Sequence, residues 1–210
     1  KTFSDDSLRV LRGVQFAARF DLVCNSDSLK IMQKIDISDL SANRIYLELE
    51  KFFIAKFKRR AMELLSELGL DLKLFGVEFD ERFIQQISNK IHTHKASFLY
   101  HLINYYAIDG KSLISRLALP NCYSISYKQP FLRRVSKFEL LKIALDMPLC
   151  QWLGLDSKRR IKMAQALGIY EHKFSPNIDT SAILCVGKAY GDELKRLRIQ
   201  AIKDYLNGCN

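Results

Sequence analysis

The 210 residues carry 33 Lys+Arg against 23 Asp+Glu, a formal net charge of +10. An excess of that size suggests a polyanionic partner, and nucleic acid is the commonest one. With 48% hydrophobic residues, 4 Pro and 9 Gly, the composition excludes a disordered chain and collagen-like or low-complexity regions. No apolar run approaches the ~20 residues of a membrane span. The polar, acidic opening from Lys1 to Asp6 is not a signal peptide, so no membrane partner is expected. Lys1 is not an initiator Met, and the numbering is expected to begin inside a longer protein. The five cysteines, Cys24, Cys122, Cys150, Cys185 and Cys209, form no CxxC pair and have no His at ligand spacing. That argues against zinc and fits free thiols in a reducing cytoplasm.

In chain order, residues 4–20 read as a helix with Ser4 as N-cap and Asp5 and Asp6 in the first turn, where carboxylates suit the helix dipole. Leu8, Leu11, Val14 and Ala18 follow at helical spacing. A second helix starts near Ser41, with Ile45, Leu49, Phe52 and Phe53 as its apolar stripe. A third runs from about Arg60 through Leu64, Leu65 and Leu68 to Gly69, a natural C-cap. Residues 81–119 read as two helices broken at Asp109-Gly110. Pro120 to Pro130 is the least regular stretch and the best domain-boundary candidate. Ser136 and Glu139 have capping-box spacing before Leu140, Leu141, Ile143 and Ala144, and Asp146 and Pro148 end that helix. Ile161 to Leu167 is closed by Gly168, and Ser181 to Val186 and Asp192 to Leu206 complete the chain. With no strand alternation and no fixed-period repeat, the fold class is all-α.

The informative residues lie near the start. Asp6 and Arg9 are three apart and share a helix face, which Arg12 extends. A carboxylate beside a guanidinium offers acceptors next to a planar set of donors. The Watson–Crick edges of adenine and cytosine each present an amino donor beside a ring-nitrogen acceptor. Uracil and guanine present a carbonyl beside an N–H. One Asp–Arg pair is thus able to accept A and C and reject U and G, since a mismatch leaves buried polar groups unpaired at ~1–3 kcal/mol each. The same spacing is also that of an ordinary solvated ion pair.

The surrounding residues bear on that choice. Asp5-Asp6-Ser7-Leu8-Arg9, Val10-Leu11-Arg12 and Phe16-Ala17-Ala18-Arg19-Phe20 resemble the neck signature of class II tRNA nucleotidyltransferases and the related bacterial poly(A) polymerases. Ser41-Ala42-Asn43-Arg44-Ile45 through Glu48-Leu49-Glu50-Lys51 is similar to a second family motif. The leucine-rich segment from Ala61 to Leu70 is similar to a third. The resemblance covers about 70 residues and implies a multi-helix architecture: 1–70 the neck, recognising the base, 71–125 a helical body, and 126–210 a helical, tRNA-binding tail. It implies that Asp6 and Arg9 form the base-reading pair, with Asp5 where the family prefers Glu. It also implies that Arg12 contacts the incoming nucleotide, and that Arg44 and Glu48 brace the recognition helix through its N-terminal turn. Gln15 stands where Arg is common. The implied activity is addition of C and A to tRNA 3′ ends from CTP and ATP. A poly(A) polymerase of the same family and a non-enzymatic helical RNA-binding module are the alternatives.

Phosphoryl transfer needs paired carboxylates on Mg²⁺ and a cradle for the triphosphate. In the family these belong to an N-terminal head, and no such motif stands in these residues. Asp36-Ile37-Ser38-Asp39 reads as a polar connector. No catalytic residue is assigned within the chain, which alone is expected to be inactive. Mg²⁺ is expected only through the head. His92, His94 and His101 lack the His-Asp doublet of a metal phosphohydrolase and read as structural, so no metal site is expected. The basic residues Lys58, Arg59, Arg60, Arg133, Arg134, Lys158, Arg159 and Arg160 form candidate contacts for tRNA phosphates, which are shape-driven and salt-sensitive. Tyr123, Tyr127 and Trp152 have the chemistry to stack on nucleotides, but packing suits them as well.

Overall fold

The computed structural model describes residues 6–208 except 93, 182, 184 and 185. Among these residues there are α-helices and no strand, so the chain is all-α. In order they are α1 (Leu8–Phe20), α2 (Ser26–Met32), α3 (Ala42–Ile54), α4 (Lys58–Glu67), α5 (Leu70–Phe75), α6 (Glu81–Ser88), α7 (Ser97–Tyr106), α8 (Gly110–Arg116), α9 (Asn121–Ser126), α10 (Lys137–Ala144), α11 (Lys158–Ala166) and α12 (Lys188–Gly208). No described helix is long and apolar enough to cross a membrane. The chain divides into two compact units, Lys1–Gln129 and Pro130–Asn210.

In the first unit, α1 begins later than its acidic residues suggest. Asp6 lies ahead of the helix, where its Oδ1 accepts from the Leu8 backbone N–H at 3.2 Å. A short acidic side chain at this position serves the unsatisfied N–H groups of the opening turn better than one inside it. Ser4 and Asp5 lie outside the described residues. Val10, Leu11, Val14, Ala17 and Ala18 give α1 a buried stripe that packs on α3 and α4. Ser41 caps α3, its Oγ accepting from the Arg44 N–H. The turn after α3 is pinned to α1 by Phe57 N–H bonding to the Ala18 carbonyl at 2.8 Å.

Gly69 ends α4 with φ +65, a left-handed conformation that glycine adopts without a Cβ penalty. The core around these helices is aromatic: Phe52, Phe53, Phe75, Phe79 and Phe83 surround the buried Phe98 at centroid distances of 4.7–6.2 Å. The 81–119 region forms three helices instead of two. The extra break precedes Ser97, in addition to the expected one, where Asp109 caps α8 through the Lys111 N–H. The Pro120–Pro130 stretch also holds a short helix, α9, anchored by the buried Tyr123. Two short helices, α2 and α5, were not legible as periodic segments because neither spans two full turns.

The second unit has its own core: Leu140, Leu141, Leu149, Trp152, Leu155, Ala164, Ile169 and Ile202. Ser136 Oγ accepts from the Glu139 N–H at 3.1 Å and starts α10. Trp152 is 1% exposed and donates from Nε1 to the Pro130 carbonyl at 2.8 Å. Gly154 lies directly against the indole: a Cβ there would stand 2.2 Å from a ring carbon. The C-terminal helix α12 is longer than its apolar pattern indicated, and Ile202 inserts it into the core. The Ser181 to Val186 segment includes residues outside those described.

Candidate nucleotide and RNA site

The residues that carry the resemblance converge where α1 and α3 lie side by side. Arg44 Nη2 stands 3.3 Å from Asp6 Oδ1. Six residues beyond Asp6 and four beyond Arg44, Arg12 Nε is 3.9 Å from Glu48 Oε1. These pairings run in step, so the two helices point the same way. Ser7 fixes the entry to α1 by donating to Asp39 Oδ2 at 2.8 Å. Asp6 therefore has its Oδ1 occupied twice, by Leu8 N–H and by Arg44, and no hydrogen bond of Oδ2 occurs among the described residues. Arg9 is half-buried on the first turn of α1, and its backbone N–H bonds the Asp6 carbonyl at 3.0 Å. Asp6's described ion pair is with Arg44. Asp5 lies outside the described residues.

Glu48 is 5% exposed, yet it serves two cations, with Lys51 Nζ 2.8 Å and Arg12 Nε 3.9 Å from Oε1. Its Oε2 has no hydrogen-bond partner among the described residues. A buried carboxylate of this kind holds its partners because unpaired burial is costly. Glu48 thus engages the middle of α1, while Arg44 engages the N-terminal turn. Gln15 is buried and accepts from Arg19 Nη1 at 3.3 Å.

The basic residues sort differently from their sequence clusters. Lys58 is 2% exposed and donates from Nζ to the Ala55 carbonyl. Burial lowers its pKa from 10.5 to about 8. Lys58 is therefore removed from the RNA-contact set, because its ammonium has no path to a phosphate. Arg59 pairs with Glu63 at 2.6 Å and Glu81 at 2.7 Å, and both carboxylates hold its pKa above the usual value. Arg60 bridges Asp21 and Glu63.

Arg160 is also corrected: it is a staple inside the second unit. Its guanidinium donates to the carbonyls of Gly154, Leu132 and Arg133 and to Asp156 Oδ1 at 2.6–3.3 Å. It lies 5.9 Å from the Trp152 ring. It holds the Leu132-Arg133 backbone against α11, the helix that opens with Lys158 and Arg159; Arg133 and Arg134 stand on the segment so held. All four of these are exposed, and no ion pair of theirs occurs among the described residues. Trp152 and Tyr123 are core residues, each 1% exposed, and are not stacking platforms. Among the described residues no group of three His, Cys, Asp or Glu is placed to hold a metal ion.

In the first unit, a further group of residues extends the α1–α3 face; of these only Lys56 belongs to a basic cluster visible in the sequence. Arg19, Phe20, Lys51, Ile54, Ala55 and Lys56 line an open groove of about 510 Å³ at the far end of α1 and α3. Their signal in the sequence was helical spacing, Arg12, Phe16 and Arg19-Phe20 on α1 and Arg44, Leu47, Lys51 and Ile54 on α3, and all of these are exposed.

Part of the chain has known relatives. The multifunctional CCA protein of Actinobacillus pleuropneumoniae serotype 5b is 33% identical over 105 residues, covering 43% of this chain and 26% of that protein. Those of Nitrosococcus oceani and Neisseria gonorrhoeae are each 31% identical, over 104 and 103 residues, covering 44% and 43% of this chain. Part of this chain, under half of its length, is related to the CCA-adding enzyme family. The chain spans about a quarter of the length of the curated CCA proteins it matches. No family model matches it, and no solved structure matches it significantly.

Proposed function

We propose that this chain is the base-recognising and RNA-holding helical part of a tRNA nucleotidyltransferase that adds C and A to tRNA 3′ ends. The observation that supports it most is the bracing of α1 by α3. Arg44 pairs with one oxygen of Asp6, and the buried Glu48 stands 3.9 Å from Arg12. The remaining Asp6 oxygen accepts the exocyclic amino group of an incoming A or C, while the Arg9 guanidinium donates to adenine N1 or cytosine N3. Arg12, half-exposed, then faces the nucleotide's phosphates. A U or G would set a carbonyl against the carboxylate and an N–H against the guanidinium, leaving both unpaired. The side chains act as the template, so no template strand is needed.

Phosphoryl transfer needs carboxylates that hold Mg²⁺, and this reading assigns them to a catalytic head joined to this chain in a cytoplasmic protein. ATP and CTP are the nucleotide substrates. Arg133, Arg134, Lys158 and Arg159 supply phosphate contacts for the tRNA body.

Substituting Arg9→Ala in the full-length protein tests the reading. Incorporation of C and A against U and G onto a tRNA lacking its 3′ end is measured. Discrimination is expected to fall by about tenfold or more, as for loss of one buried polar partner, with tRNA affinity nearly intact. Unchanged selection overturns the assigned pair.

A further inference from the structure

The nucleotide end occupies only the first turns of α1. From Asp6 to Phe20 the α1–α3 face continues for ~20 Å, and its far end has no role in the reading above. That end combines three cations with exposed apolar surface. Arg19, Lys51 and Lys56 line the groove together with Phe20 and Ile54, and no acidic side chain lines it. Phe20 is 56% exposed and Phe16 43%, with their rings 6.0 Å apart. The Arg19 guanidinium lies 5.0 Å from the Phe20 ring centroid, which fixes both side chains. Large aromatic rings held in water beside fixed cations satisfy no folding requirement in this unit, whose core is complete without them.

We infer that this groove is a second nucleic-acid subsite, which takes a single-stranded segment with one base stacked on Phe20 and its phosphates on Lys51, Lys56 and Arg19. The chemistry selects the occupant. A cationic groove with an aromatic platform matches the stacking-and-funnel design of single-strand binders. The absence of lining carboxylates disfavours a basic protein segment, and the three cations disfavour a purely apolar one. The Lys51 ammonium has three donors, so it keeps Glu48 while it meets a phosphate, and the same buried carboxylate links this end of the face to Arg12. The inference rests on the proposed function for its biological strand, the 3′ end being extended, but its binding chemistry stands independently.

The test uses the 210-residue chain and a fluorescein-labelled single-stranded oligoadenylate, with anisotropy read across a salt series. Phe20→Ala is expected to weaken binding by about tenfold while leaving the salt slope unchanged. Lys56→Ala is expected to lower the slope by about 0.7. Both side chains are exposed, so folding is retained, and circular dichroism checks it. If neither variant changes oligonucleotide affinity, or if a blunt RNA duplex binds with equal affinity and the same sensitivity to Phe20→Ala, the subsite is refuted. Binding of an acidic peptide in place of the oligonucleotide refutes it too. Loss of oligonucleotide binding in these variants, with nucleotide selection unaltered by Arg9→Ala, upholds the subsite and rejects only the base-reading assignment. The reverse result rejects only the subsite.

Discussion

Replacing Lys58 by Met should stabilise the first unit at neutral pH. Lys58 is 2% exposed, with the Ala55 carbonyl as its hydrogen-bond acceptor, and burial brings its pKa from 10.5 to about 8. A shift of that size is worth roughly 3 kcal/mol against the charged form, at about 1.4 kcal/mol per pKa unit. Methionine fills a similar volume without charge. It forfeits the bond to Ala55, which offsets roughly 1–2 kcal/mol, so a net gain of about 1–2 kcal/mol is expected. The sign follows from which state holds the proton more tightly. The unfolded chain keeps Lys58 protonated up to about 10.5, the folded chain only to about 8. The penalty is therefore complete below pH 8 and is relieved as pH rises from 8 toward 10.5. The advantage of the Met variant should shrink over that window. Tyr106 and Tyr123, which burial raises above the ordinary phenol range, titrate alike in both proteins and cancel in the difference. Urea unfolding followed by circular dichroism at pH 7 and at pH 9.5 measures it. A variant less stable at pH 7, or a difference that is flat with pH, would refute the reasoning.

Other outcomes follow from the same geometry. Arg160→Ala should destabilise the second unit by roughly 3–5 kcal/mol, because it strips the guanidinium from the buried Asp156 and from three carbonyls; fluorescence of the sole tryptophan, Trp152, reports it during denaturation. Gly154→Ala should cost roughly 1–3 kcal/mol, since its Cβ would drive the indole out of place; an unchanged unfolding midpoint would contradict the packing. Arg133→Ala with Arg134→Ala should lower the salt slope of tRNA binding by about 2, whereas Lys58→Met should leave that slope unchanged. Arg44→Ala should cost under about 1 kcal/mol of stability, because its pair with Asp6 is half-exposed, yet it should reduce discrimination of A and C from U and G in the full-length protein; normal selection would show that Asp6 needs no brace.

The sequence by itself determined the helical class, the helix ends at Ser41, Ser136 and Gly69, and the three segments that resemble tRNA nucleotidyltransferase motifs. Those properties are local: they depend on side-chain period, on short polar residues at helix starts, and on residue order. Tertiary structure decided which charges are available. Lys58-Arg59-Arg60 and Lys158-Arg159-Arg160 look alike as basic runs, yet Lys58 is buried, Arg59 and Arg60 are paired with Glu63 on their own helix and with Glu81 and Asp21 far off in sequence, and Arg160 staples a core. It also set Arg44 against Asp6 across 38 positions and joined Arg19 and Phe20 to Lys51 and Lys56 in one groove. A cation's role is fixed by its nearest carboxylate or carbonyl and by its access to water, and folding chooses those neighbours from anywhere along the chain.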